Sequence, residues 1–373
     1  MHTLFRKKHI ILCGICAFVG LLFLANCKSD DNSSNLNDTE ALLRDQLTNV
    51  FSNEIVSLNA NFMERASTLQ EAAEAFQRES TLQNLENAQE QWRNLQLVWK
   101  QLELYDLGDV GNSFIAFEIN RWPSNTSRIE DNITGTTELN EAFIASIGSS
   151  SKGISGVEYL LFPSEEGQDI LGSFTGSNGD RRLQYLVAMT QNLTTKTSEL
   201  NDLWNTFSPT FTTALESNIS GSQNQLANAM ISLLEEIIVS KLGRALGDNN
   251  GGTIITSQLE AFRSTFSKEI IRQHLTALQR TYQGEFGAAS TIGFDDFILR
   301  LEQQALDQRI QDQFTVCRNA LDRISGSLAA ELETNPDAVA AVRTAFRDLL
   351  VLIRVDMSNL LGIVVTFNDS DGD

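Results

Sequence analysis

Apolar residues recur at intervals of three and four along almost the whole of this chain, and that spacing leaves little choice of fold. Leu43, Leu47, Val50, Phe51, Ile55 and Leu58 form one stripe, and Ala88, Trp92, Leu95, Trp99, Leu102 and Tyr105 form a second. Tyr185, Met189, Leu193, Leu200, Leu203 and Phe207 continue the pattern, as do Leu226, Met230, Leu233, Ile237 and Leu242. Val342, Phe346, Leu349, Ile353, Leu360 and Val364 complete it. Side chains three and four residues apart share a helix face, whereas a strand needs strict alternation. No stretch of comparable length alternates, and only four prolines interrupt 373 residues. The spacing predicts an all-α chain of packed helical bundles.

The first 26 residues read differently. Arg6, Lys7 and Lys8 precede an apolar run from Ile10 to Leu24, too short and too early for a membrane span and laid out as a secretory signal. Leu24-Ala25-Asn26-Cys27 resembles a bacterial lipobox, with Asn26 in place of the usual small residue. Residues 1–26 are therefore expected to be a lipoprotein signal peptide and Cys27 the point of attachment to the membrane. The alternative is an ordinary cleaved signal with a chance cysteine. Residues 27–39 are polar and poor in helix formers, as a flexible tether would be, and resemble acidic sorting signals of surface lipoproteins. The remaining residues exceed one comfortable core, which predicts an N-terminal bundle over 40–207 and a C-terminal bundle over 208–373. The seam is placed at Phe207-Ser208-Pro209, with further breaks at Trp122-Pro123-Ser124-Asn125, from Pro163 to Gly179, and at Gly247 to Gly252.

Composition then removes whole classes of function. Loss of residues 1–26 takes away Arg6, Lys7 and Lys8 and no acid, so the formal charge moves from −20 to −23. No basic stripe remains to neutralise phosphates, which argues against nucleic acid as a partner. Cys13 and Cys16 leave with the signal, so Cys317 is the only thiol besides Cys27 and no internal disulfide can form. Cys317 continues the spacing Ile310, Phe314, Cys317, Leu321, a core position. His2 and His9 also leave, and His274 alone is too few for a two- or three-histidine zinc site. His274 fits an apolar run with Ile271, Leu275 and Leu278, a structural setting, and Trp92 and Trp99 read as core.

One segment carries the chemistry. In Gly153–Phe162, Ile154, Val157 and Leu161 fall on one helix face, Glu158 borders it, and Ser155 lies three residues before Glu158 on the same side. This pair is expected to face the region between the bundles. A carboxylate beside a core is costly unless a cation, hydrogen-bond donors or a metal compensate it. Two readings stay open. Glu158 is a ligand for iron or another hard cation, with Glu118 approaching it from before the Trp122-Pro123 corner. Alternatively it is a structural carboxylate paired with Arg121 or Arg181. Pro163 ends the helix, and the loop after it is long enough to cover a site. The ending Asp369-Ser370-Asp371-Gly372-Asp373 looks like the start of a calcium loop but lacks the rest of one, so it reads as a solvated acidic terminus.

Gly153, Glu158, Tyr159, Leu160 and Leu161 match the signature G-x-H-x-x-E followed by Y-L-L-[FW], and the segment thereby resembles the imelysin-like family, peptidase family M75 with its iron-regulated envelope lipoproteins. Ser155 stands where that family has histidine. Ile119-Asn120-Arg121-Trp122-Pro123 is similar to its I-N-x-W-P stretch, Arg181-Arg182-Leu183-Gln184-Tyr185-Leu186 to its R-R-x-x-Y-L stretch, and Thr366–Asp373 to its T-F-N-D-x-D-G-D ending. The resemblance implies two bundles side by side and a lipid-anchored cell-envelope protein, at the outer membrane, serving iron acquisition as a binding or accessory component. Gly153, Ser155, Glu158, Glu118, Arg121 and Trp122 are the residues expected at its site. A metallopeptidase is disfavoured, since a neutral serine is a poor zinc ligand and no HExxH occurs. The rival reading is a helical interaction module that meets an outer-membrane protein and has no metal site.

Overall fold

A computed structural model of the chain describes residues 30–165, 167–287 and 292–366. The expected signal peptide (1–26), the lipid-attachment residue Cys27 and the acidic ending 369–373 lie outside them. Helix α1 (Asp30–Asn49) begins inside the stretch expected to be a tether, which corrects that expectation for residues 30–39.

Residues 40–373 cluster as one compact unit. Through a π-helical turn, Val50–Ile55, the chain passes from α1 into α2 (Val56–Arg78). Helix α3 (Leu82–Leu102) starts where the Thr81 side chain accepts from the Asn84 N–H. Short α4 (Ile115–Ile119) and α5 (Gly153–Leu161) follow, then the long α6 (Gly179–Thr213). In this first bundle α2 packs on α3 and α6, and α5 packs against both α3 and α6. The second bundle holds α7 (Ser222–Glu236), which runs into the π-helical turn Ile237–Gly243, then α8 (Ser267–Gln283), α9 (Gln304–Asp322) and α10 (Pro336–Val351). There α9 packs on α8 and α10, while α3 of the first bundle packs on α8 of the second. Among the described residues there is no strand, and no helix is long and apolar enough to cross a membrane. The fold is all-α, two packed helical bundles.

The predicted stripes make the core. Trp92, Leu95, Trp99, Met189, Met230, Phe346 and Cys317 are all buried. Phe51, Leu203 and Leu360 are half-buried against that core, and Val364 is 45 % exposed, beyond the end of the last helix at Leu361. Asn224 instead holds its backbone from both sides, donating to the Val364 carbonyl and accepting from its N–H.

The seam expected at Phe207-Ser208-Pro209 is helical. Helix α6 continues through Pro209 to Thr213. A proline removes the hydrogen bond to the carbonyl four residues earlier, here Asn205. Ser208 Oγ donates to that carbonyl at 3.1 Å, which offsets the loss. Non-helical residues come only from Ala214.

Candidate functional site

Helix α5 is set in place by its glycine. Gly153 has φ +72°, and a Cβ there would lie 2.3 Å from the Ile119 carbonyl oxygen. Only glycine allows the start of α5 to come this close to the end of α4. From the other side Trp92 Nε1 donates to the Ile154 carbonyl at 2.9 Å, tying α5 to α3.

Glu158 reaches the segment that leads into α8 directly, and Ser155 reaches it through Asn120. Glu158, 5 % exposed, accepts from the Ser264 N–H and the Ser264 hydroxyl, each at 2.9 Å. Burial raises its carboxyl to about 7 against the pull of the Ser264 hydrogen bonds and Arg263. Arg263 lies over the Tyr159 ring at 4.9 Å. The arginines expected beside Glu158 are elsewhere: Arg121 lies over the Phe117 ring at 4.6 Å, and Arg181 donates to the carbonyls of Ile133, Asn132 and Thr137. Glu118 pairs with Lys152 at 2.6 Å.

Ser155 opens a buried polar chain. Its hydroxyl donates to Asn120 Oδ1 at 2.6 Å, and Asn120 Nδ2 donates to Glu260 Oε1 at 3.0 Å. Lys100 Nζ meets the same Glu260 oxygen at 2.6 Å, while Lys241 Nζ meets Oε2 at 2.6 Å. Lys100 also pairs with Glu103 at 2.5 Å, and Lys241 with Glu236 at 2.7 Å. Glu103 Oε2 is 2.7 Å from His274 Nε2. Burial pushes the His274 pKa down, so the ring is neutral and donates from Nε2, leaving Nδ1 without a partner. Burial alone would raise Glu260, yet Lys100 and Lys241 hold it down at about 2. Against the same burial penalty, Lys100, Lys241 and His274 keep Glu103 well below the usual carboxylate range.

Lys100, Lys241, Glu103 and Glu260 were not among the residues singled out from the sequence. Lys241 did leave a signal, as the one cation in the apolar run Ile237-Ile238-Val239-Ser240-Lys241-Leu242. It lies in the π-helical turn that follows α7, a widened turn of the kind often found at functional sites. Lys100 follows Trp99 on α3 and is fully buried, and Glu260 sits in a stretch without periodicity that offered nothing to read.

The chain of polar groups opens onto a cleft of about 840 Å³ lined by Asn120, Arg121, Trp122, Glu103, Glu236, Arg244 and Glu260 among others. Trp122, joined to Pro123 by a cis peptide, has Arg244 over its ring at 5.7 Å. Of the six residues expected at the site, Arg121 and Trp122 line this cleft, Ser155 reaches it through Asn120, and Gly153 sets the helix. Glu158 and Glu118 make separate contacts.

The donor set here does not fit a metal ion. Both Glu260 oxygens face ammonium groups, the neighbouring carboxylates Glu103 and Glu236 are paired with the same two lysines, and the remaining donors are a serine hydroxyl and a carboxamide, weak ligands without charge. A dication at this point would meet Lys100 and Lys241. Among the described residues no group of three or more His, Cys, Asp or Glu side chains is placed to hold a metal.

Comparison with known proteins agrees with the layout. A family model described as imelysin, Peptidase_M75, matches residues 60–355. Iron-regulated protein A of Synechococcus elongatus is 24% identical over 337 residues, covering 88% of this chain and 86% of that protein. An imelysin-like protein of Psychrobacter arcticum has a similar structure, with TM-score 0.72, 17% identity, and coverage of 88% of this chain and 98% of that one. A protein from Parabacteroides distasonis assigned as an iron-regulated protein A precursor gives TM-score 0.70 at 15% identity, covering 87% and 96%. At these identities the structural likeness speaks for the fold.

Proposed function

The chain belongs to the imelysin family, and from that premise we propose that it is a lipid-anchored cell-envelope protein that serves iron acquisition as a binding component, not as a catalyst. The observation that carries the non-catalytic reading is Glu260. Its two oxygens are taken by Lys100 and Lys241, so the carboxylate best placed at the cleft floor is neither a free base nor a free ligand. His274, the only histidine outside residues 1–26, is neutral and already bonded to Glu103. The link to iron rests on the relative named iron-regulated protein A, and the anchor on Cys27 and the lipobox-like residues before it.

The test is genetic and biochemical together. A strain lacking the chain is expected to grow slowly when iron is scarce and normally when iron is supplied, with rescue by the wild type. Equal growth of the deleted and parent strains under iron limitation would remove the iron link. Cys27→Ser is expected to shift the protein from the membrane fraction to the soluble one; unchanged fractionation refutes the anchor.

A second reading, a helical interaction module, is favoured by one feature. Phe114 and Phe117 stack with centroids 6.2 Å apart and are 64% and 45% exposed, an aromatic pair of which Phe117 lines the cleft, open to a protein partner.

A further inference from the structure

We propose that the interbundle cleft takes iron as an anionic, carboxylate-bearing ferric chelate, held by the guanidinium groups of Arg121 and Arg244. The inference rests on the iron-linked reading above and adds the chemical form of the ligand.

The first observation is the state of the floor. Glu103, Glu236 and Glu260 line the cleft, and each already has an ammonium partner in Lys100 or Lys241. Lys100 and Lys241 are buried behind the floor; counted with Arg121 and Arg244 on the lining, four cations stand against three carboxylates in a chain whose net charge is −20. The local excess is positive, the opposite of what a bare ferric or ferrous ion requires.

The second observation is the pair of arginines. Arg121 lies over the ring of Phe117 and Arg244 over that of Trp122. Among the described residues neither guanidinium has a carboxylate within ion-pair distance, although the chain carries 48 acids to 28 basic residues. Stacking on an aromatic face fixes the plane of a guanidinium and leaves its N–H edge free. Such an edge meets a carboxylate through two parallel hydrogen bonds. Two of them across one cleft suit a ligand with at least two carboxylates.

A ferric ion wrapped by hydroxycarboxylates meets both conditions. Its own chelator supplies the oxygen ligands that this site lacks, and the complex keeps negative charge and free carboxylate edges. The cleft, at about 840 Å³, falls within the usual range for sites of this ligand size.

The experiment is equilibrium binding to the full chain in detergent, with three probes: ferric citrate, citrate without iron, and ferrous ion without chelator under anaerobic conditions. Ferric citrate is expected to bind, and Arg121→Gln and Arg244→Gln each to weaken it at least tenfold while circular dichroism and thermal midpoint stay unchanged. Tight binding of chelator-free ferrous ion, indifferent to both substitutions, would overturn the chelate and leave the iron link standing. Citrate binding as tightly without iron, through the same arginines, would overturn the iron link and the chelate with it, leaving an anion site. Absence of binding by all three probes would overturn the proposal.

Discussion

Glu158 shows how a single buried carboxyl can bear on stability. Its folded-state pKa of about 7 lies above the ordinary carboxylate value of 4.5, chiefly through burial. Between those values the folded state binds a proton that the unfolded state has released, so stability falls as pH rises through the window. Glu158→Gln keeps an acceptor for Ser264 and removes the ionisation. Between pH 5 and pH 8 the wild type is therefore expected to lose ~2–3 kcal/mol relative to the variant. Urea titrations at the two pH values measure this, and parallel profiles for the two proteins would refute it. Lys241 presents the opposite case, a buried cation whose removal leaves Glu260 half paired. Lys241→Met is expected to lower stability by about 3 kcal/mol, the usual cost of breaking a buried ion pair from one side. A urea midpoint within error of the wild type would mean that solvent already reaches the pair.

At the scale of elements, the family glycine acts through steric approach. Gly153→Ala places a Cβ 2.3 Å from the Ile119 carbonyl oxygen on a backbone with φ +72°. Helix α5 must then back away from α4, stretching the Ser155–Asn120 hydrogen bond. A loss of about 2 kcal/mol is expected in urea unfolding, from strain and from contacts that no longer close. An unchanged midpoint would show that α4 simply yields. The helices themselves were readable in advance because burial and period coincide: Trp92 and Trp99 fall on the predicted face of α3, and Pro163 follows the end of α5. The seam at Pro209 was misplaced, since a serine hydroxyl next to the proline can replace the lost backbone bond, and such compensation has no periodicity. The site was legible only at Gly153, Ser155 and the Arg121-Trp122 corner. Its charged floor was not, because Lys100, Lys241 and Glu260 come from three distant segments and only packing brings them together.

Across the whole molecule the buried and half-buried carboxyls fall into two groups with opposite pH signatures. Burial raises Glu54, Glu158 and Asp295 to about 7. The like charge of Asp296 adds to the shift of Asp295. All three contribute stability that is present below the unfolded carboxyl pKa and is lost as pH rises through about 7. Glu260, held at about 2, and Glu103 behave the other way, contributing stability above pH 4.5 that is lost as pH falls through their lowered values. The net charge of −20 adds self-repulsion on the alkaline side. Stability is thus squeezed from both directions, with its maximum near pH 5. Denaturation measured from pH 3 to pH 9 is expected to give a peak there, and a fall toward pH 8 larger than the share that Glu158→Gln removes, because Glu54 and Asp295 act in the same window. A maximum at pH 7 to 8 would show instead that these carboxyls reach solvent in the folded chain, and that the ionic floor of the cleft governs its pH response alone.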